Sequence, residues 1–393
     1  MMRLAFVPLS IALAIAAAVP SRAAEPAALE PYLDTVRAEF DLPAIAAAFV
    51  KDGEIVAIGA TGIRAVGRNE TVKREDRFHL GSNTKSMTAT IAGALVDDGL
   101  IGWDTTVGSV LGEEVEGMNA ALAAVTLGEL LSHSSGIPSD NEATVRVYEV
   151  ADRFEGNPDE QRLEAIRQWK DEVPKVPEGS PFQYSNLGYL IAGAMMEHVA
   201  GKPWEELIEE HVFAPLGLSS AGLGPQATFG RYDASVGHAI GEDGKAAPRF
   251  WGPAADNPML IGPAGIAHMS IGDYATWAAW NAGGGENAPA LVSAETLATI
   301  QKPHVKTPEI KDPTPGTPTT GAYGYGWGTV TLDFTGGPVI THNGSNNMNL
   351  AMIILDPEKH IGVVALTNFP GPVAREALLA VSRHLWATYG EGE

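Results

Sequence analysis

Phe78-His79-Leu80-Gly81-Ser82-Asn83-Thr84-Lys85 is the stretch on which the reading of this 393-residue chain turns. From Ser82 to Asp97, small and apolar residues lie all round a helical repeat, the pattern of a helix buried on every side. Ser82 and Lys85 are three residues apart, so they share one face of the first turn, and the lysine stem can fold back to the serine hydroxyl. The start of a helix carries partial positive charge. That field, together with burial, lowers the pKa of Lys85 toward that of a usable base and favours a developing alkoxide at Ser82. Alone, an S-x-x-K spacing decides little, since it arises by chance about once in a few hundred residues.

Working outward, Ala27 to Phe40 reads as a helix with Leu29, Leu33, Val36 and Phe40 on one face, stopped by Pro43. Ala44 to Val50 and Ile55 to Ala60 are β-like runs joined by Lys51-Asp52-Gly53-Glu54, a hairpin signal. Asn186 to Val199 is a second apolar helix, and Trp204 to His211 a third, opened by Pro203. Gly337 to Thr341, Asn349 to Leu355 and Gly362 to Asn368 read as strands, and Val373 to Tyr389 as a closing helix. Strands therefore sit at both ends and helices in the middle. The economical fold class is α+β: an antiparallel sheet built from both termini, flanked by helices, with an inserted helical lobe. Gly222 to Gly262 and Lys302 to Thr320 have loop composition, and Ser139 to Gly179 is a charged, helical insertion.

Composition excludes several classes. The chain is 45% hydrophobic and 19% charged, an ordinary globular balance. Its net charge is −22 and no Lys/Arg stripe appears, which argues against nucleic acid as a partner. Arg3, the apolar run Leu4 to Val19 and Ser21-Arg22-Ala23 form an export signal, expected to be cleaved after residue 23. The run is short for a membrane span, so no stable anchor is expected, and the location is periplasmic or secreted. With no cysteine there is no disulfide, no thiolate metal site and no lipoprotein thiol. Removal of 1–23 would leave 24–393 as one catalytic domain of two lobes, a sheet lobe of about 24–80 and 320–393 and a helical lobe of about 81–319.

No H-E-x-x-H, phosphate-binding P-loop or G-x-S-x-G elbow is present, and the ten histidines lack metal-ligand spacing. Gly324-Tyr325-Gly326-Trp327-Gly328 reads as a glycine/aromatic strand, with Trp327 in the core. Two further clusters accompany Ser82 and Lys85: Tyr184-Ser185-Asn186 where an apolar helix begins, and His342-Asn343-Gly344 at the end of a strand. In that order and spacing, with Leu131-Ser132-His133-Ser134-Ser135-Gly136, Pro215-Leu216-Gly217-Leu218 and Tyr323-Gly324-Tyr325-Gly326-Trp327, the chain resembles the serine β-lactamase and penicillin-recognising superfamily. The likeness covers nearly all of 24–393 and is specific to the class C-like branch of esterases and D-aminopeptidases.

The resemblance implies a β-lactamase/transpeptidase-like fold and an acyl-enzyme on Ser82, with Lys85 holding or taking its proton. It implies Tyr184 as general base and proton relay, a phenol that ionises only beside positive charge. Asn186 would bond Lys85 and the substrate amide, and the backbone N–H groups of Ser82 and Ser345 would form an oxyanion hole. Gly344 would let substrate backbone approach the strand. No metal or organic cofactor is implied, and His133 is expected to be structural. The sequence departs from true β-lactamases at the third motif, where His342 replaces a lysine and Asn343 a hydroxyl residue. A partly charged histidine should hold a substrate carboxylate weakly. The expected function is thus an exported serine hydrolase of small esters, amides or D-amino-acid peptides. The alternatives are β-lactamase or DD-peptidase activity and, from another class, a non-catalytic wall- or peptide-binding protein.

Overall fold

A computed structural model describes residues 25–390 apart from 140, 151–152, 251–254, 284–285, 287–288 and 312–317. The export signal at 1–23 lies outside the described residues. Nine strands form one sheet in the order Ala27–Ala28, Glu54–Gly62, Ala44–Lys51, Ile361–Thr367, Leu350–Asp356, Pro338–Gly344, Gly328–Thr331, Ala322–Tyr323 and Val305–Lys306. Every pairing is antiparallel except that of Ala27–Ala28. The join between the two ends of the chain is the pairing of Ala44–Lys51 with Ile361–Thr367, register Ala47 to Ala365. The Asp52-Gly53 hairpin forms as its composition requires, with φ of 50° and 84° at its two central residues.

Both faces of the sheet are covered, which is why its central strands read as unbroken apolar runs. In Leu350–Asp356, Leu350, Met352 and Ile354 pack toward the first and last helices, Glu30–Glu39 and Pro372–Leu385. Ala351, Ile353 and Leu355 face the opposite core, which joins the sheet to the helical lobe. At its centre is the helix Thr84–Asp97, entered through a 3₁₀ turn Gly81–Asn83 and packed against Asn186–Ala200. The helix Ile271–Ala282 lies on this face against strands Ala44–Lys51, Glu54–Gly62 and Ile361–Thr367, so the segment 81–319 contributes to the sheet layer as well as to the helical lobe. Among the described residues no helix is long and apolar enough to cross a membrane.

Several expectations change. The helix read from Ala27 begins at Glu30, because Ala27–Ala28 pairs as an edge strand, and the 302–320 stretch holds the strand Val305–Lys306. Gly324 to Trp327 is a turn between two strands, because Gly326, at φ 74°, presses onto the Lys85–Ser86 backbone where a Cβ would lie 2.6 Å from the Lys85 carbonyl oxygen. Trp327 does lie in the core, fully buried. The stretch 222–262 is not all loop: Gly222–Leu223 joins Arg77–His79 and Ala267–Ser270 in a small sheet, and His238–Ile240 pairs with Ala246–Pro248. The helix opened by Pro203 runs only Trp204–Ile208 before widening into the turn Glu209–Phe213. The charged insertion holds helices Glu142–Val150 and Pro158–Trp169. The second is tied down by buried Arg162, which pairs with Glu197 and, at 2.8 Å, with Glu205.

Candidate active site

Ser82 sits in the 3₁₀ turn and Lys85 one turn on, with its Nζ 3.1 Å from Ser82 Oγ. The lysine is wholly buried, and Nζ also donates to Asn186 Oδ1 at 2.7 Å and to the Ala264 carbonyl at 2.7 Å, two bonds that a neutral amine can make while its lone pair faces Ser82 Oγ. No carboxylate pairs with it among the described residues. Burial without a counter-charge drives its pKa well below that of a free lysine, toward the neutral amine. The faces of Tyr184 and Tyr189 lie 4.7 and 5.3 Å from Nζ, so an ammonium formed transiently there meets two π-faces.

Asn186 is brought to Lys85 by the start of its helix. Ser185 caps that helix through Oγ, which accepts the Gly188 N–H at 3.0 Å, and its own N–H donates to His133 Nδ1 at 3.1 Å. Tyr184, just before the cap, is thereby turned toward Ser82. Burial raises its phenol pKa, and the interaction with the Ser82 hydroxyl lowers it only in part. Lys85 and Tyr184 are thus pushed in the two directions that leave both uncharged.

The third cluster lies on the strand Pro338–Gly344, which abuts the Ser82 turn. A Cβ on Gly344 would overlap the Leu80 carbonyl oxygen, and one on Gly81 would overlap the Ser345 nitrogen. Two glycines therefore let the strand end and the helix start meet backbone to backbone, which brings the Ser345 nitrogen against Gly81, the residue before Ser82. His342 differs from expectation. Only 7% exposed, it faces the Asn343 carbonyl with Nδ1 at 2.8 Å and the Tyr323 hydroxyl with Nε2 at 2.8 Å. A carbonyl only accepts, so Nδ1 carries the proton and Nε2 accepts from Tyr323. Burial, then the nearby Lys85, pushes the His342 pKa down to about 3, so the ring is neutral rather than partly charged.

His133, expected to be structural, packs its ring 4.3 Å from that of Tyr184. Sequence reasoning missed two groups. Tyr323 locks His342, and the Ala264 carbonyl takes one proton of Lys85. Tyr323 stood inside a quoted motif, whereas nothing in Gly262-Pro263-Ala264-Gly265 marks one carbonyl. Beside these residues opens a cleft of about 1260 Å³, lined by Phe182, Tyr184, Tyr323, His342, Asn343 and Ser345 among others. Residues 307–310, 318 and 320–322 also line it, so part of the 302–320 loop borders the cleft.

The Beta-lactamase family model matches residues 29–385. The chain is 26% identical over 356 residues to penicillin-binding protein 4 of Amycolatopsis lactamdurans, covering 90% of this chain and 87% of that one. It is 26% identical over 308 residues to the unguisins hydrolase ungD' of Aspergillus campestris, covering 76% of this chain but only 54% of that longer protein. Among solved structures, the octameric penicillin-binding protein homologue from Pyrococcus abyssi aligns with a TM-score of 0.70 at 27% identity, over 93% of this chain and 77% of that one. The D-amino acid amidase from Ochrobactrum anthropi SV3 shares the fold, with a TM-score of 0.70 at 20% identity over 92% and 97% of the two chains. The chain belongs to the beta-lactamase family of serine hydrolases.

Proposed function

We propose that this protein is exported to the periplasm or the medium and hydrolyses small esters, amides or D-amino-acid peptides through an acyl-enzyme on Ser82. One observation carries the reading: the Lys85 amine, buried and without a counter-ion, lies 3.1 Å from the Ser82 hydroxyl. A neutral amine at that distance is a base for that proton.

Ser82 Oγ attacks the carbonyl carbon as its proton passes to Lys85 Nζ. The oxygen takes up the negative charge between the Ser82 and Ser345 amides, one at a helix start and one at a strand end. When the intermediate collapses, the bond to the leaving group breaks and that group takes the Tyr184 hydroxyl proton. Tyr184 recovers a proton from the Lys85 ammonium. Deacylation retraces the path with water in the place of the leaving group. Tyr184 acts here as a neutral relay and Lys85 as the base, in place of the tyrosine base expected from the sequence, because burial opposes a phenolate.

The neutral His342 favours substrates that need no cation at this position, which ranks esters, amides and amino-terminal peptide bonds above β-lactams and carboxy-terminal D-peptides. The names of the relatives, penicillin-binding protein and D-amino acid amidase, support the acyl chemistry. The test is hydrolysis of p-nitrophenyl acetate and butyrate by the wild type and Ser82→Ala, followed by D- and L-alanine p-nitroanilides. Turnover that vanishes in Ser82→Ala is the expected result. Equal, negligible rates in both would favour the non-catalytic binding protein. Intact-mass measurement of the secreted form checks removal of residues 1–23.

A further inference from the structure

Next to the Ser82 turn lies a group of polar side chains that no step above uses. His79 is fully buried and its Nδ1 accepts the Gly81 N–H at 3.0 Å, so its proton is on Nε2. That N–H meets Asp256, 2.9 Å from one carboxylate oxygen and 3.1 Å from the other. Asp256, with only 5% of its side chain exposed, takes two further donors on Oδ1: the Asn346 Nδ2 at 3.1 Å and the Asn257 backbone N–H at 2.7 Å. Asn346 then accepts from Asn349 Nδ2 at 3.0 Å, Asn349 accepts from Gln226 at 2.8 Å, and Ser345 Oγ donates to the Asn349 carbonyl at 2.7 Å. Asn257 itself holds the Gly265 carbonyl at 3.0 Å, next to the Ala264 carbonyl that receives Lys85.

One carboxylate therefore reaches both backbones whose amides would, on the reading above, receive the oxyanion. Through His79 it holds Gly81, the residue before Ser82. Through Asn346 it holds the residue after Ser345. These two pieces of chain lie more than 260 residues apart in sequence, and the backbone contact at Gly81 and Gly344 brings them together without a hydrogen bond between their amides, so their fine separation is open to control from the side chains around them. Their amides act together only if both lie about 2.7–3.1 Å from one oxyanion. Among the described residues no lysine or arginine pairs with Asp256, so its place in the interior rests on these directional donors, which specify position as well as energy.

We propose that Asp256 is a positioning residue for the oxyanion site, the clamp that sets the distance between the Ser82 and Ser345 amides through His79 and Asn346. The proposal rests on the reading of Ser82 as nucleophile. Its signature is loss of affinity for a tetrahedral, anionic adduct at Ser82 with little change in ground-state binding.

The experiment compares wild type, Asp256→Ala and Asn346→Ala for p-nitrophenyl butyrate turnover, inhibition by phenylboronic acid and thermal midpoint. In Asp256→Ala, kcat should fall about tenfold to a hundredfold while KM stays within about threefold, and the phenylboronic acid inhibition constant should rise by a similar factor. Formate, but not chloride, should restore part of both. Asn346→Ala, which cuts only the strand side, should show the same pattern more weakly and carries the test alone if Asp256→Ala does not fold. A folded variant whose boronate affinity matches wild type overturns the proposal, whatever its thermal midpoint. Undiminished turnover in Ser82→Ala would instead overturn the underlying reading of the nucleophile.

Discussion

Lowering the pH from 7.5 to 5.5 should cost this protein roughly 4 kcal/mol of stability or more, and the cause is four buried histidines. Burial lowers the pKa of His238 and His268 to about 4 and of His342 to about 3, and drives that of His133 well down. Three of the four cannot take a proton without losing a bond. The free nitrogen of His238 accepts the Val66 N–H at 3.0 Å, that of His342 accepts the Tyr323 hydroxyl at 2.8 Å, and that of His133 accepts the Ser185 N–H at 3.1 Å. The unfolded chain binds a proton at each through pH 6.5 while the folded chain refuses it, so stability is complete above about pH 7 and is lost as pH falls toward the folded pKa values. At pH 5.5 His238, His268 and His342 each cost about 1.4 kcal/mol, roughly 4 kcal/mol together, and His133 adds in the same direction, against a usual total of about 5–15 kcal/mol. Glu197, whose pKa burial raises, offsets at most one proton of this. Carboxylates with lowered pKa, such as Glu30, lose their contribution only below the ordinary glutamate range. Urea unfolding followed by tryptophan fluorescence at pH 7.5, 6.5 and 5.5 measures the loss. His268→Asn, which retains a donor for the Gly224 carbonyl, should flatten the dependence by about one proton. A difference below about 1.5 kcal/mol between pH 7.5 and 5.5, the worth of one such histidine, would refute the reasoning.

Three further outcomes are expected. Lys85→Ala and Tyr184→Phe should each lower kcat/KM on the order of 10²–10⁴-fold, as proton-carrying groups do, and an unchanged value for Tyr184→Phe would remove it from the relay. Gly344→Ala should leave a soluble protein with turnover down tenfold or more, because its methyl group drives the strand off the Leu80 carbonyl and away from the Ser82 turn; full activity would show that the backbone contact is not needed. Arg162→Ala, which strands the buried Glu197 carboxylate, should cost about 3–5 kcal/mol in a denaturant titration and detach the 142–169 insertion, and protease resistance there equal to wild type would contradict this.

Much of this architecture was legible because its signals are local. Asp52-Gly53 demands a tight hairpin, Pro203 opens a helix, and continuous apolar runs near the end of the chain become strands covered on both faces. The constellation of Ser82, Lys85 and Tyr184 was legible for another reason: chemistry constrains residue type, and a helix turn brings Ser82 and Lys85 together whatever the rest of the chain does. What stayed hidden depends on distant partners. Gly326 reads as part of a strand until the Lys85 backbone is laid against it. His342 reads as a titrating cation until Tyr323 and the Asn343 carbonyl close on its two nitrogens. Asp256 and His79 carry no sequence signal, because their pairing joins a loop to a strand 177 residues earlier.

The pairing of Ala44–Lys51 with Ile361–Thr367 has a consequence for how the molecule is made. A nascent chain at about 5–20 residues per second waits roughly a quarter of a minute to a minute between emergence of the first strand and of its partner. Throughout that interval Ala44–Lys51, an alanine-rich and uncharged strand up to its last residue, has one edge bare. A ribosome stalled before residue 361 would release a product primed for edge-to-edge association, and a holdase that shields that edge should raise the yield of folded protein more than one that binds the closing helix.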